Sequence, residues 1–160
     1  RSTLPQPCAP SARRRRGGAS VGERFLDTSV ILGSLDPDEP HHEACDRLVA
    51  EGGHTIHAHA LAETFSILTG GRQGRRLGAA LVARLIEDSV LPYVQTVSTT
   101  GQEMMAALAE CESRGVRGGA VYDWLHLAAA RQAGAQSLVT LDRRDFQALS
   151  RPGDPRIESP

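Results

Sequence analysis

Lysine is absent from this 160-residue chain: all 18 of its Lys and Arg residues are arginine. Without an ε-amine, a Walker A phosphate loop, Schiff-base chemistry and any lysine-dependent phosphoacceptor site are excluded. Aromatics are scarce at 4% while hydrophobic residues reach 40%, so a core must be built from Ala, Val, Leu and Ile. Such a core suits helices packed on a parallel sheet and disfavours an all-β architecture. Cys8, Cys45 and Cys111 form neither a CxxC pair nor a disulfide framework, which points to a reducing compartment, the cytoplasm. No apolar run approaches the ~18 residues of a membrane-spanning helix, so a soluble protein is expected.

The net charge of −1 conceals an asymmetry. Residues 1–22 carry five Arg and no acid, leaving 13 Arg against 19 Asp and Glu in residues 23–160, a balance of −6. The first 22 residues combine Pro, Ser, Gly and the run Arg13–Arg16 and can bury too little surface to order. They read as a disordered Arg-rich extension or an expression remnant, with one domain over 23–160, an ordinary size for a fold of about 100–150 residues. An acidic domain repels polyanions; bound divalent cations would reverse that locally.

Short apolar runs alternate with helical patterns along the domain. Phe25 and Leu26 form a strand ahead of the turn Asp27-Thr28-Ser29 and a helical start at Val30-Ile31-Leu32. Residues 36–40 are a loop, a helix follows from His41 to about Glu51, and 55–57 form a second strand. A helix over 58–69 carries Leu61, Phe65 and Leu68 as its core stripe. Further helices are expected at 77–88, 100–114 and 121–133, strands at 93–97 and 137–141, and a short last helix from Asp142 through Leu149. Strands alternating with helices and no hairpin signal imply right-handed crossovers and a parallel sheet covered on both faces.

Against that frame four carboxylates stand out: Asp27, Glu63, Asp123 and Asp142. Acids at the carboxyl ends of strands converge on the crevice where α/β sheets bind ligands. Carboxylates gathered there repel one another and either take up protons or share a cation; hard oxygen donors favour Mg²⁺ or Mn²⁺. Each acid also has a plainer reading. Asp27 fits as the N-cap of the helix it precedes, and Asp142-Arg143-Arg144-Asp145 has the form of a capping box with Asp in place of Glu or Gln. Capping and metal ligation are compatible if different oxygens serve each. Glu63 could be a solvated helix residue, and Asp123 an acid favoured by the dipole of its own first turn.

Taken in order, Phe25-Leu26-Asp27-Thr28-Ser29-Val30-Ile31-Leu32, Ala62-Glu63-Thr64, Tyr122-Asp123-Trp124-Leu125-His126-Leu127-Ala128-Ala129-Ala130 and Val139-Thr140-Leu141-Asp142-Arg143-Arg144-Asp145-Phe146 resemble the PIN-domain ribonucleases, most closely the VapC toxins of bacterial toxin–antitoxin pairs. The resemblance runs from about Arg24 to Ile157. It implies a three-layer α/β/α sandwich with a central parallel sheet of about four to five strands. It further implies a metal-dependent endoribonuclease in which Asp27, Glu63, Asp123 and Asp142 hold Mg²⁺ or Mn²⁺, supported by Thr28, Thr140 and Asp145. RNA as substrate, a VapB-type antitoxin and a homodimer are implied with it.

Other residues are weighed beside these. Arg143 and Arg144, adjacent to Asp142, are the arginines expected to meet RNA phosphates; Arg72, Arg75, Arg76 and Arg117 read as solvated helix ends. Trp124 and Leu127 are assigned to the core, and His126 to packing outside the site. His41, His42, His54, His57 and His59 lack a Cys partner or HExxH spacing and are not taken as a zinc site. Two other functions compete: a PIN-like module that binds RNA or antitoxin without cutting, and a haloacid-dehalogenase-like phosphatase. The latter needs Asp two residues after the first acid, where Ser29 stands, and a Lys.

Overall fold

The computed structural model describes residues 24–71 and 76–160. The expected N-terminal extension, Arg72 and Arg75 lie outside the described residues. Those described form, in order, β1 (Arg24–Leu26), α1 (Thr28–Leu35), α2 (His42–Glu51), β2 (His54–His57), α3 (Ala58–Gly70), α4 (Ala79–Ser89), β3 (Val94–Val97), α5 (Gly101–Arg114), α6 (Ala120–Gln132), β4 (Ser137–Val139), α7 (Arg143–Leu149) and β5 (Arg156–Glu158).

The five strands make one all-parallel sheet in the order β3-β2-β1-β4-β5. Side chains alternate across its faces, and that alternation divides the core. Phe25 of β1 and Leu138 of β4 pack with α5, α6 and α7 around Trp124, Leu127 and Phe146. Their neighbours Leu26 and Val139 pack on the other side with Val30, Ile31, Cys45 and Leu48 from α1 and α2. A third cluster joins α3 to α4 through Leu68, Val82 and Ile86. The expected three-layer α/β/α sandwich is therefore present, with five strands.

Small residues permit close packing on this frame. A Cβ on Gly33 would meet Cys45 Sγ at 2.8 Å, so glycine is what lets α2 lie against α1. On α3 the fully buried positions are Ala60 and Thr64, with Leu68, whereas Phe65 is 37% exposed. Of the expected stripe, Leu68 is buried and Leu61 packs against the core, whereas Phe65 is corrected to the surface, its place on the inner face taken by Ala60 and Thr64. Strand β4 ends at Val139, two residues short of expectation, because Thr140 and Leu141 turn into the site. The sequence reading assigned no strand to β5; its single apolar residue, Ile157, carries no pattern, and the strand exists through pairing with β4.

Trp124 is fully buried, as expected, and its indole N–H donates to Ala107 O at 2.7 Å. The Arg114 guanidinium lies 4.0 Å from the centre of its ring and bonds Asp154 Oδ2 at 2.6 Å and Leu149 O at 3.1 Å. This clamp ties α5, α6 and the segment leading into β5 together. Among the described residues no helix is long and apolar enough to cross a membrane.

Candidate functional site

The chain runs outward from β1 through β2 to β3, then returns to add β4 and β5 on the other side of β1. The reversal lies between β1 and β4, the place beyond the strand ends where open α/β sheets bind ligands. Asp27 follows β1 there, and Thr140 follows β4. The Asp27 N–H donates to Val139 O at 3.0 Å, which fixes the two strand ends to each other. Only 4% exposed, Asp27 accepts at Oδ2 from the Ser29 N–H at 3.2 Å, the Ser29 hydroxyl at 2.7 Å and the Thr140 hydroxyl at 3.0 Å. The Ser29 N–H contact is the N-cap of α1. Those three bonds all engage one carboxylate oxygen.

Asp142 enters from the other strand. It stands at the N-cap position of α7, but its backbone (φ −95°, ψ 46°) is not extended and its side chain makes no cap hydrogen bond, so the capping box expected with Asp145 does not form. Its N–H instead donates to Thr140 Oγ1 at 2.9 Å. Partial burial raises the Asp142 carboxyl above the ordinary range, and the negative charges of Asp27, Asp145 and Glu39 raise it further. Asp123, in the first turn of α6, is pushed up to about 6, first by burial and then by Asp27, with Asp142 and Asp145 adding to it and His126 opposing. Asp27 is thus the common electrostatic neighbour of Asp123 and Asp142.

Glu63 reaches the same region from α3. The Thr28 hydroxyl and His126 Nε2 both donate to its Oε2, the latter at 2.7 Å. Burial alone would raise the Glu63 carboxyl; those two bonds and the nearby imidazoles bring it below its ordinary value. His126 is 1% exposed. Burial disfavours its imidazolium, but the Glu63 bond and the charges of Asp27, Glu63 and Asp123 outweigh that and raise it. Its Nδ1 is buried without a protein partner. Around it stand His57, with ring centroids 5.6 Å apart, and His59, at 6.3 Å. Burial, followed by His126 and His59, lowers His57 to about 4, leaving it neutral with Nε2 2.9 Å from the Thr99 hydroxyl.

The placement of His126 corrects the reading that left it outside the site: it touches Glu63 and Thr28 and feels Asp27 and Asp123. Its position three residues after Asp123, on the same helical face, was the available signal. One further residue, Glu39 from the 36–40 loop, escaped sequence reasoning and adds charge beside Asp142. Ser29 joins Asp27 to the β4 end, its hydroxyl also accepting from the Leu141 N–H at 2.9 Å. Of the five histidines set aside, His57 and His59 gather here, whereas His41 lines a cavity of about 400 Å³ with Ser29, Glu39 and Asp142. Asp145, Arg143 and Arg144 are exposed on the first turn of α7. Among the described residues, no group of three or more His, Cys, Asp or Glu side chains already stands close enough to hold one ion.

Known proteins share this chain's sequence pattern and fold. A family model described as the PIN domain matches residues 24–152. Ribonuclease VapC27 of Mycobacterium tuberculosis is 34% identical over 119 residues, covering 74% of this chain and 84% of that protein. Among solved structures, Mycobacterium tuberculosis VapC20, described as a Sarcin-Ricin loop cleaving toxin, superposes with a TM-score of 0.62 at 22% identity, covering 81% of this chain and 99% of its own. DNA-bound VapBC from Salmonella typhimurium gives 0.63 at 20% identity, with 87% and 98% covered. By sequence and by fold, the chain belongs to the PIN domain family.

Proposed function

We propose that this protein is a divalent-metal-dependent endoribonuclease, the toxin of a VapBC-type pair working in the cytoplasm. The observation that carries the reading is the accumulation of negative charge at the switch point of the sheet, where Asp27, Asp123 and Asp142 act on one another and Glu63 joins through His126. The residues fit Mg²⁺ or Mn²⁺ in charge and donor type: hard carboxylate oxygens, mutually repelled and therefore stabilised by a shared cation. Side-chain rotation has to close them on it. Asp27, Glu63, Asp123 and Asp142 would hold the ion, which when bound supplies an activated water and offsets the charge of the scissile phosphate.

The chain's own groups prepare that site. Ser29 and Thr140 fix Asp27 through one oxygen, freeing the other for the cation. Thr28 and His126 hold Glu63 in the same way at Oε2. Asp145 adds to the field and is tied to Asp142 only through the backbone, its N–H donating to Asp142 O at 3.0 Å, and Arg143 and Arg144 are exposed beside Asp142 where they can meet RNA phosphates. Partner binding follows from the relatives: VapBC and FitAB assemblies are among the solved structures of this fold. Phe65 on α3 and Leu81 on α4, 37% and 51% exposed, offer apolar side chains to an amphipathic antitoxin segment, and a homodimer is expected by the same analogy. The presence of all four acids favours a cutting enzyme over a silent binding module, and Ser29 together with the lack of Lys disfavours the phosphatase.

Incubation with single-stranded RNA tests the reading directly. Cleavage is expected with Mg²⁺ or Mn²⁺, stops with EDTA and returns on adding excess metal; cleavage indifferent to EDTA overturns it. Because metal-free Asp123 holds its proton below about pH 6, the metal concentration for half-maximal cleavage should rise as pH falls from 7 to 5. A flat profile removes Asp123 from the ligand set. His126→Ala should weaken metal binding about 10–100-fold, the usual cost of losing a group that orients a ligand, measured by Mn²⁺ titration; unchanged affinity would show that Glu63 needs no such support.

A further inference from the structure

We propose that Tyr122, backed by His59, is a stacking platform that receives one unpaired base of the RNA beside Glu63. This rests on reading Glu63 and Asp123 as part of the nuclease site. The two rings lie nearly parallel, 12° apart with centroids 5.5 Å from each other, and Tyr122 is 49% exposed. His59 Nε2 is in turn 3.7 Å from Glu63 Oε1, one helical turn away on α3. The exposed ring therefore stacks on a neighbour that itself lies beside the Glu63 carboxylate.

These residues wall a cavity of about 410 Å³ together with Ser66 and Ile67, a volume typical of small-ligand pockets. Its lining has what a nucleobase uses: a ring face to stack on, an aliphatic side chain at Ile67, and the Ser66 hydroxyl for a polar base edge. Recognition of single-stranded RNA commonly splays out bases and stacks them on aromatic side chains. Tyr122 immediately precedes Asp123 in α6, so the platform and the carboxylate move as one body. A base seated there would hold its own phosphate next to the acidic group, which favours an RNA occupant over an aromatic side chain of a protein partner.

The test combines kinetics and binding with the intact protein. In Mg²⁺, Tyr122→Ala should raise KM for single-stranded RNA about 5- to 150-fold, the range of single-base stacking losses, with kcat retained. Tyr122→Phe and Tyr122→Trp, which keep a ring, should retain the wild-type KM. In EDTA at low salt, one abasic position in a scanned oligonucleotide should weaken binding to the wild type and have no further effect on Tyr122→Ala. A wild-type KM for Tyr122→Ala, or abasic losses that persist in it, overturns the platform, including the case in which the ring serves a protein partner. Base-dependent binding without cleavage would keep the platform and sink the nuclease reading; cleavage with a silent Tyr122→Ala does the reverse. RNA that is neither bound nor cut defeats both.

Discussion

Asp123→Asn is expected to lower metal-dependent RNA cleavage by about 10²–10³-fold or more, the loss of several kcal/mol of charge stabilisation at roughly 1.4 kcal/mol per decade. The same change should stabilise the metal-free protein. The Asp123 carboxyl is raised from 3.8 to about 6 in the fold, so the native state holds its proton more tightly than the unfolded chain does. Stability from this group is complete below about pH 4 and is lost as pH rises through about 6. At pH 7 the wild type carries the cost of a half-buried charge and the repulsion of Asp27, Asp142 and Asp145, offset in part by His126, and Asn carries none of it. If the relief is about 1 kcal/mol, the melting temperature in EDTA should rise by about 2–4 °C. The paired readout separates a ligand from a structural acid: a variant that loses cleavage and also melts lower assigns Asp123 to the fold. Asp27→Asn should lose cleavage comparably, since Asn remains a good N-cap for α1.

The second large effect lies far from the crevice. Arg114→Met should destabilise the protein by about 3 kcal/mol, seen as a lower urea midpoint, out of a total of about 5–15 kcal/mol typical of a domain. Asp154 has a side chain only 2% exposed and takes its bond at 2.6 Å from Arg114. Removing the cation leaves that carboxylate buried, and a broken buried pair costs more than the intact pair contributes. Arg131, 3.6 Å from Asp154 Oδ1, remains to compensate and keeps the loss at the lower end. Met keeps an unbranched apolar side chain at the position while removing the guanidinium from Trp124, Asp154 and Leu149 O together. Adding Asp154→Asn to Arg114→Met should recover part of the stability, because the stranded charge is then gone. An unchanged midpoint would mean that the clamp contributes nothing net.

Most elements were legible because their signals are local. Periodicity placed the strands that became β1 and β2 and most of the helices, and Gly115, at φ +72°, closes α5 as a left-handed cap. What failed locally also explains itself. Strand β5 has no pattern of its own, and on α3 Phe65 alone was misplaced, because a stripe of large residues does not reveal which positions a neighbour needs small. The Asp142 capping box was a sequence pattern without the extended backbone such a cap requires.

By itself the sequence determined the alternation of strands and helices, the small-residue core, the exclusion of lysine chemistry, and where the four acids lie along those elements, Glu63 within a helix and the others at strand ends or helix starts. Only the tertiary structure decided that β4 crosses to the far side of β1, bringing Asp142 and Thr140 against Asp27, and that His126 closes on Glu63. The Thr140–Asp27 bond alone joins residues 113 positions apart. Secondary structure follows from interactions a few residues apart, whereas the charge that one carboxylate imposes on another depends on distances set by the packing of the whole sheet.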